Sequence, residues 1–255
     1  MPRTRLVILT LLFLVILVLS RGVMRDRARG TVANPPSRTD LQGQSAQAAR
    51  TDPSSLSRRS GDDLTPGEIE RIRQTIRDAG TTVYLPTMFT ETDSAIRRWS
   101  DSDAQSIRVA YVLGEAPTWA SEDQEIARSA FHAWEQVGLP IHFVEVFDTT
   151  GAAIVVHWVP HFPIDRTGQT DLTWDELGRI HHATIQLALE DSGGRPISTT
   201  GLGAVALHEV GHALGLPHSA EAADLMFPTT RRPVMTDRDL ATIRLLYSLP
   251  PVSLK

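Results

Sequence analysis

The sequence predicts a mixed α/β domain over residues 104–250, and three observations support this fold class. The 255 residues are 41% hydrophobic and 22% charged, which provides enough apolar material for one compact core. Segments with strand-like and helical periodicity follow one another in the order β-α-β-β-β-α-α. Proline, glycine and capping residues separate these segments where helices and strands usually end. The fold class is therefore α/β, in the α+β sense of a mixed sheet with packed helices.

Four segments rich in β-branched and aromatic residues are predicted as strands. They are Ile107–Leu113, Ile141–Phe147, Ala152–Trp158 and Ile180–Leu189. The last of them ends in a glycine-rich turn and is predicted to be an edge strand that binds an extended peptide. Such binding uses main-chain hydrogen bonds, so the strand's side chains contribute little specificity. The other reading, an ordinary strand inside the sheet, stays open.

Three segments of the domain have helical periodicity and start signals. The first is predicted to begin with a capping box formed by Ser121 and Gln124, and to end before Gly138. The second covers about residues 199–214. The third is capped by Thr236 and Asp239 and is terminated by two prolines.

The N-terminal residues 1–24 have the pattern of an export signal. Basic residues precede an apolar run at Leu6–Leu19, which covers about 21 Å as a helix, less than a hydrocarbon core of roughly 30 Å. No small-residue cleavage site follows, so both a removed signal peptide and a retained membrane anchor stay open. Either alternative predicts an extracytoplasmic protein that is secreted, periplasmic or anchored to the membrane.

Two further segments precede the domain. Residues 25–63 contain prolines and scattered polar residues without apolar periodicity, which predicts a flexible linker. Residues 64–103 are predicted to form an N-terminal supporting segment rather than a removable inhibitor. Its helix begins at a capping box, in which Thr65 is the N-cap and Glu68 the N3 acid.

Charge and cysteine content exclude several classes of function. Residues 1–60 contain ten arginines and three aspartates, whereas the remainder has fifteen basic and twenty-seven acidic residues. An acidic domain is unsuited to nucleic acid, so no nucleic-acid partner is predicted. The absence of cysteine excludes disulfides, cysteine-ligated metals and thiol nucleophiles. The composition does not indicate an oligomeric state.

One motif carries chemistry: residues 208–218 match H-E-x-x-H-x-x-G-x-x-H. His208 and His212 are four residues apart, so both imidazoles project from one face of a helix and can bind one ion. Gly215 can adopt a positive φ and end the helix, which lets the chain return His218 to the same ion. Three imidazoles leave a fourth tetrahedral position open, as in a catalytic zinc site.

Glu209 is the predicted catalytic residue. It is adjacent to the first histidine and is not needed as a ligand, so it can take a proton from a zinc-bound water and later pass it to a leaving amine. The predicted reaction is zinc-dependent hydrolysis of a peptide bond in a peptide or protein substrate. The alternative is a non-catalytic, tethered peptide-binding or sensory module; the intact Glu209 argues against it.

The extended motif, followed by Met226, resembles the metzincin clan of zinc proteases and, within it, the matrixins (the matrix-metalloproteinase family). The resemblance covers roughly residues 105–248 and implies the metzincin fold, a mixed twisted sheet with an active-site helix, a methionine turn and a C-terminal helix. In that clan a methionine turn lies beneath the zinc ligands, and Met226 stands at its position. The likeness therefore implies a zinc endopeptidase with His208, His212 and His218 as ligands.

Four departures from the matrixin pattern accompany the resemblance. Matrixins usually have alanine where this chain has Asp224, which alters the approach to the turn. They commonly have Pro-x-Tyr where this chain has residues 228–230, Pro-Thr-Thr, beside the S1′ pocket. Phe227 lacks the hydroxyl that serves as a fifth ligand in astacin-like relatives. The cysteine switch of the family is impossible in a chain without cysteine.

The resemblance also implies a second site, because matrixins carry a structural zinc and calcium ions before the substrate-binding strand. The corresponding region here is rich in ligand types without reproducing the family's spacing: His157, His161, Asp165, Asp171, Asp175, Glu176, His181 and His182. Neighbouring histidines in a strand point to opposite faces, so His181 and His182 cannot easily share one ion. A second structural zinc or calcium ion and a set of solvated side chains both stay open.

Overall fold

The computed structural model describes residues 64–91, 95–230 and 232–254. The predicted signal or anchor at 1–24 and the predicted linker at 25–63 lie outside these residues. Among the residues described, no helix combines the length and the apolar character that crossing a membrane requires.

The described residues form six α-helices and seven strands, with short 3₁₀ turns between them. The helices are α1 (Pro66–Asp78), α2 (Met88–Glu91), α3 (Asp101–Ala104), α4 (Ser121–Glu135), α5 (Thr199–Ala213) and α6 (Asp237–Ser248). The strands are β1 (Ala95–Ile96), β2 (Ile107–Tyr111), β3 (Phe143–Glu145), β4 (Ile154–Val159), β5 (Gly168–Trp174), β6 (Ile180–Ala188) and β7 (Val252–Ser253). The mixed α/β class predicted for the domain is confirmed.

The main sheet has five strands in the order β3-β2-β4-β6-β5. Strands β3, β2, β4 and β6 are parallel, and β5 runs antiparallel to β6 with Thr170 opposite Ile185. Strand β6 therefore lies inside the sheet, and the prediction that Ile180–Leu189 is the peptide-binding edge is wrong. The edge position belongs to β5, a segment for which the sequence patterns predict no strand.

Strand β5 is not predicted from the sequence because its residues are mostly polar. The segment Gly168–Trp174 has the sequence GQTDLTW, and its side chains are half-buried or exposed throughout. Sequence patterns detect strands through apolar alternation, which requires one face of the strand to pack on a core. An edge strand whose main chain faces a cleft lacks this constraint.

Two of the three predicted capping boxes are confirmed. Thr65 and Glu68 begin α1, and Thr236 and Asp239 begin α6. The box predicted from Ser121 and Gln124 is wrong, because the Asp123 carboxylate accepts a hydrogen bond from the Ala120 N–H (2.8 Å) and Ala120 is the N-cap. An aspartate one position earlier thus takes the role assigned to the glutamine.

The described part of residues 64–103 packs into the same hydrophobic core as the motif at residues 208–218. Their buried members are Ile72, Ile76, Val83, Tyr84, Leu85, Met88, Ile96 and Trp99. Strand β1 pairs antiparallel with β7 near the C-terminus of the chain. The indole N–H of Trp99 donates to the carbonyl oxygen of Ala213 at the end of α5 (2.9 Å). The segment thereby contacts the helix that carries the first two histidines.

Candidate functional site

The site is built on α5 and on the turn that follows it. Ser198 caps the helix by accepting a hydrogen bond from the Gly201 N–H (3.1 Å), and the helix is buried along most of its length. It ends where Gly215 adopts a φ of +98°. A side chain at Gly215 would collide with the carbonyl oxygen of Arg97, so only glycine fits this turn. The turn redirects the chain toward His218.

The structure brings His208, His212 and His218 together. One nitrogen of each ring lies within 4.8 Å of the others, and the Nε2 atoms of His212 and His218 are 3.1 Å apart. His208 Nδ1 donates to the Leu225 carbonyl oxygen (2.8 Å), and His212 Nδ1 donates to the Leu216 carbonyl oxygen (2.8 Å). The Nε2 atoms of these two rings are consequently unprotonated lone-pair donors.

This arrangement fits a tetrahedral zinc ion. The Nε2 atoms of His212 and His218 face each other at 3.1 Å, so one ion can bind both. Ligand nitrogens about 2.0–2.1 Å from a tetrahedral ion are roughly 3.3 Å apart, close to the spacing observed here. Nδ1–H bonds to backbone carbonyls are also the usual way in which a protein orients ligating imidazoles.

The environment keeps all three imidazoles neutral, as metal ligands must be. Burial lowers the pKa of His208, and it lowers the pKa of His212 well below the usual value. Burial, together with the nearby His208, lowers the pKa of His218 to about 4. Each ring also disfavours a proton on its neighbour, because two imidazolium charges this close would repel each other.

Glu209 lies on α5 between His208 and His212 and faces the same cleft as the three histidines. Burial raises the pKa of its carboxyl to about 7, while the Thr170 hydrogen bond and the charge of Arg166 oppose this rise. The Thr170 hydroxyl lies 2.7 Å from Glu209 Oε2 and 3.0 Å from the Glu209 carbonyl oxygen. Edge strand β5 therefore contacts the carboxylate directly.

Gly168 permits this close approach of β5 to α5. A Cβ atom at Gly168 would lie 2.6 Å from Val205 Cγ1 and 2.7 Å from Glu209 Cγ, well inside van der Waals contact. Sequence patterns indicated neither Gly168 nor Thr170 as site residues. Both residues lie in a polar segment, and the sequence does not indicate which strand this segment pairs with.

Met226 lies directly beneath α5 and is fully buried. A Cβ atom at Gly211 would lie 2.6 Å from Met226 Sδ and 3.1 Å from Trp134 Cζ2. The absence of a side chain at Gly211 thus leaves room for the side chain of Met226. The position of Met226 agrees with the methionine turn that the resemblance implies.

Replacing Gly211 with alanine is expected to lower the free energy of unfolding by about 1–3 kcal/mol, because the added methyl group overpacks a filled core. Gly203 is a matched control on the same helix, since the nearest atoms to a Cβ there are at 3.8 Å. Gly203→Ala is expected to be neutral or stabilising by up to about 1 kcal/mol, because alanine favours helix. Urea unfolding of both zinc-free variants measures the difference. Equal stability of the two variants would contradict this account of the contact.

Asp239 connects the methionine turn to α6 and to the N-terminal segment. Its fully buried carboxylate accepts hydrogen bonds from the N–H groups of Leu225 (2.9 Å) and Thr236 (2.7 Å), and from the Tyr84 hydroxyl (3.0 Å). The Leu225 carbonyl in turn accepts the hydrogen bond from His208. Leu225 thus joins Asp239 to the first predicted ligand, through its N–H on one side and its carbonyl oxygen on the other. The sequence identified Asp239 only as a helix cap.

A cavity of about 820 Å³ surrounds the three histidines and Glu209. Residues 164–170, which include the start of β5, form one wall, and residues 197–205 form another. Residues 228–230, which depart from the matrixin pattern, line the same cavity. The cleft is therefore bounded on one side by the main chain of an edge strand and on another by the segment after the methionine turn.

The residues proposed for a second ion are mostly engaged with other side chains. His157 lies 2.9 Å from Glu115, and Asp175 accepts from Arg179 (2.6 Å) and lies 3.3 Å from His181. Within the residues described, His208, His212 and His218 are the one group of three or more candidate ligands close enough to hold a metal ion. The second ion stays a prediction.

Comparisons with known proteins point to one family. The matrixin family model matches residues 98–248, which is more than half of the chain. Metalloendoproteinase 1-MMP of Arabidopsis thaliana is 32% identical over 51% of this chain and 40% of its own length. Matrix metalloproteinase-21 of Homo sapiens is 31% identical over 46% of this chain and 22% of its own length. Metalloendoproteinase 1 of Glycine max is 28% identical over 60% of this chain and 54% of its own length. The chain thus spans about half or less of the length of these relatives.

Proposed function

Because this chain belongs to the matrixin family, we propose that it is a zinc-dependent endopeptidase that hydrolyses internal peptide bonds of extended peptide or protein substrates. The observation that carries this proposal is the convergence of three neutral imidazoles and the Glu209 carboxylate in one open cleft. The relatives named as metalloendoproteinases support the same activity. His208, His212 and His218 would hold the ion.

Glu209 is the proton carrier in the proposed reaction. Zinc, when bound, supplies a Lewis acid that acidifies water and polarises the carbonyl of the scissile bond. The Glu209 carboxylate accepts a proton as the oxygen of the attacking water bonds to the carbonyl carbon. It then donates that proton to the amide nitrogen as the carbon–nitrogen bond breaks.

The substrate is proposed to bind along β5 as an additional strand. One edge of β5 pairs with β6, and β5 borders the cleft beside Glu209. Main-chain hydrogen bonds to an extended peptide would complete the pairing of β5, and side-chain pockets would select the sequence. The proposed binding strand is therefore β5 instead of the originally predicted Ile180–Leu189.

Thr170 is expected to hold the Glu209 carboxylate in its reactive orientation. Thr170→Val removes the hydroxyl at nearly constant volume and is expected to lower kcat about tenfold, as for the loss of one hydrogen bond to a charged group. KM should change little, because the main chain of β5 is retained. Thr170→Ser should restore kcat. Steady-state kinetics with one peptide substrate measures these effects, and a parental kcat for Thr170→Val would contradict this role of Thr170.

The N-terminal segment is proposed to carry the protein out of the cytoplasm. The basic residues and apolar run of residues 1–24 support export, and residues 25–63 would connect this signal or anchor to the supporting segment and the protease domain. Cell fractionation combined with N-terminal sequencing of the mature protein distinguishes removal of the signal from retention as an anchor. Recovery of the unprocessed chain in the cytoplasm would contradict export.

The proposed activity is tested with the purified full chain, loaded with zinc and incubated with an unbiased peptide library. Mass spectrometry of the products should identify cleavage at internal bonds, and metal analysis of the same sample counts bound ions. A second structural zinc or calcium ion, which we also propose, would appear as metal in excess of the three-histidine site. A folded, zinc-loaded protein that cleaves no peptide would contradict the endopeptidase and favour a peptide-binding module.

A further inference from the structure

Asp224 is a buried carboxylate in the loop between the third histidine and the methionine turn. Its exposed fraction is 3%, although the loop has no regular secondary structure. Burying an ionised carboxylate costs free energy unless hydrogen bonds and a counter-charge compensate for it. The partners of Asp224 therefore indicate why the chain has an acid at this position.

The first partner of Asp224 is Ser219, the residue directly after His218. The Ser219 hydroxyl donates to Asp224 Oδ2 and accepts from the Glu221 N–H (3.1 Å). The Ser219 N–H donates to the Met226 carbonyl oxygen (2.9 Å), and Ser219 is itself buried. These contacts close the loop on itself and fix the backbone immediately beside the third histidine.

The other partners of Asp224 belong to the start of α6. The Thr236 hydroxyl donates to Asp224 Oδ1 (2.9 Å), and Arg238 Nε lies 3.3 Å from Asp224 Oδ2. Thr236 is the N-cap of α6, and Arg238 lies in its first turn. Asp224 thus joins the loop of the third histidine to a packed helix and has a cationic neighbour to offset its charge.

His218 needs such support more than the other two histidines do. The rings of His208 and His212 are oriented by hydrogen bonds to the carbonyl oxygens of Leu225 and Leu216. In the part of the chain that the structure describes, the His218 ring has no such bond to a backbone carbonyl. Its direction is consequently determined by the backbone of the loop, which Ser219 and Asp224 hold in place.

We propose that Asp224 is a positioning residue that fixes His218 for zinc binding through Ser219. The inference rests on the proposed zinc site and deepens it, since it assigns a role to a residue that replaces the usual alanine of the matrixins. Asp224 does not line the cleft around the three histidines. Its effect passes through one hydrogen bond to Ser219 and the peptide that joins Ser219 to His218.

The experiment measures zinc affinity by competition with a chromophoric chelator, using the full chain and its variants. Asp224→Ala is expected to weaken zinc binding by about 10–100-fold, the usual cost of losing a partner that orients a ligand. Ser219→Ala should weaken zinc binding similarly. The double variant should bind zinc as well as either single variant does, because both substitutions break the same connection from Asp224 through Ser219 to His218. Asp237→Ala, which removes an exposed acid from the same helix end, should bind zinc as the parent does.

A second pair of variants separates positioning from general stability. Arg238→Ala removes the ion pair but leaves Ser219 bonded to Asp224, so it should lower the melting temperature of the zinc-free protein without changing zinc affinity. Asp224→Asn keeps the volume of the side chain, but its amide has one acceptor oxygen for the two hydroxyl donors Ser219 and Thr236, so one of these two hydrogen bonds is lost. It should therefore weaken zinc binding even if Asp224→Ala fails to fold.

Two outcomes would overturn the inference: parental zinc affinity in both Asp224 variants, or additive losses in the double variant with Ser219. Both leave the proposed function intact, provided the parent binds zinc and cleaves peptides. A parent that binds no zinc would instead contradict the proposed function itself. The failures of the two proposals are thus distinguishable within one set of measurements.

Discussion

Glu209→Gln is expected to lower the rate of peptide hydrolysis by about 10²–10⁴-fold, the usual contribution of a general acid–base residue. The amide is nearly the same size as the carboxylate and can still accept from the Thr170 hydroxyl, so the packing of α5 against β5 is retained. It cannot accept a proton from water at neutral pH. The loss should therefore appear in kcat, with zinc content and melting temperature close to those of the parent.

Glu122→Gln is the matched control for this variant. Glu122 is exposed in the first turn of α4, so it tests the same chemical change away from the histidines. Its kcat should equal that of the parent. Hydrolysis by zinc-loaded Glu209→Gln at the parental rate would show that another group carries the proton.

A chain that begins at residue 104 is expected not to fold and not to hydrolyse peptides. Residues 64–103 contribute eight buried apolar side chains to the core, and fully burying each of these stabilises a protein by roughly 1.5–3 kcal/mol. Their summed contribution is as large as the net stability of an ordinary domain, about 5–15 kcal/mol, or larger. Removal also leaves the buried Asp239 without the Tyr84 hydroxyl and strand β7 without β1.

Circular dichroism and peptide hydrolysis of the shortened chain, beside the full chain, measure this effect. Trp99→Phe is a milder counterpart, because it removes the hydrogen bond to Ala213 but keeps most of the apolar surface. It should remain folded and lose about 1 kcal/mol of stability, a typical net value for one hydrogen bond. A folded, active protein beginning at residue 104, especially one faster than the full chain, would identify residues 64–103 as an inhibitory segment instead.

The clustering of three histidines and the surrounding helices are predictable from the sequence because those features depend on local spacing. His208 and His212 lie on one face of α5 through helical periodicity, and Gly215 has the positive φ that its place in the motif requires. The caps Thr65 and Thr236 were predictable because a capping box spans only four residues.

The rest of the site depends on contacts between distant residues, and for that reason sequence patterns did not indicate it. Thr170 contacts Glu209 across 39 positions, and Tyr84 contacts Asp239 across 155. Strand β5 is polar, so it lacks the apolar alternation by which strands are recognised. Asp224 departs from the family pattern in the sequence itself, but its partners Thr236 and Arg238 become evident only in the folded chain, where the loop lies beside α6.

The most direct test of the central claim is a zinc titration of the metal-depleted full chain, with hydrolysis of one internally cleaved peptide as the readout. The three histidines form one ligand group, so activity should be absent without metal, rise with added zinc and level off once zinc fills that group. His218→Ala should remain inactive over the same range. Full hydrolysis by the metal-free protein, or none by the zinc-saturated protein, would contradict the endopeptidase.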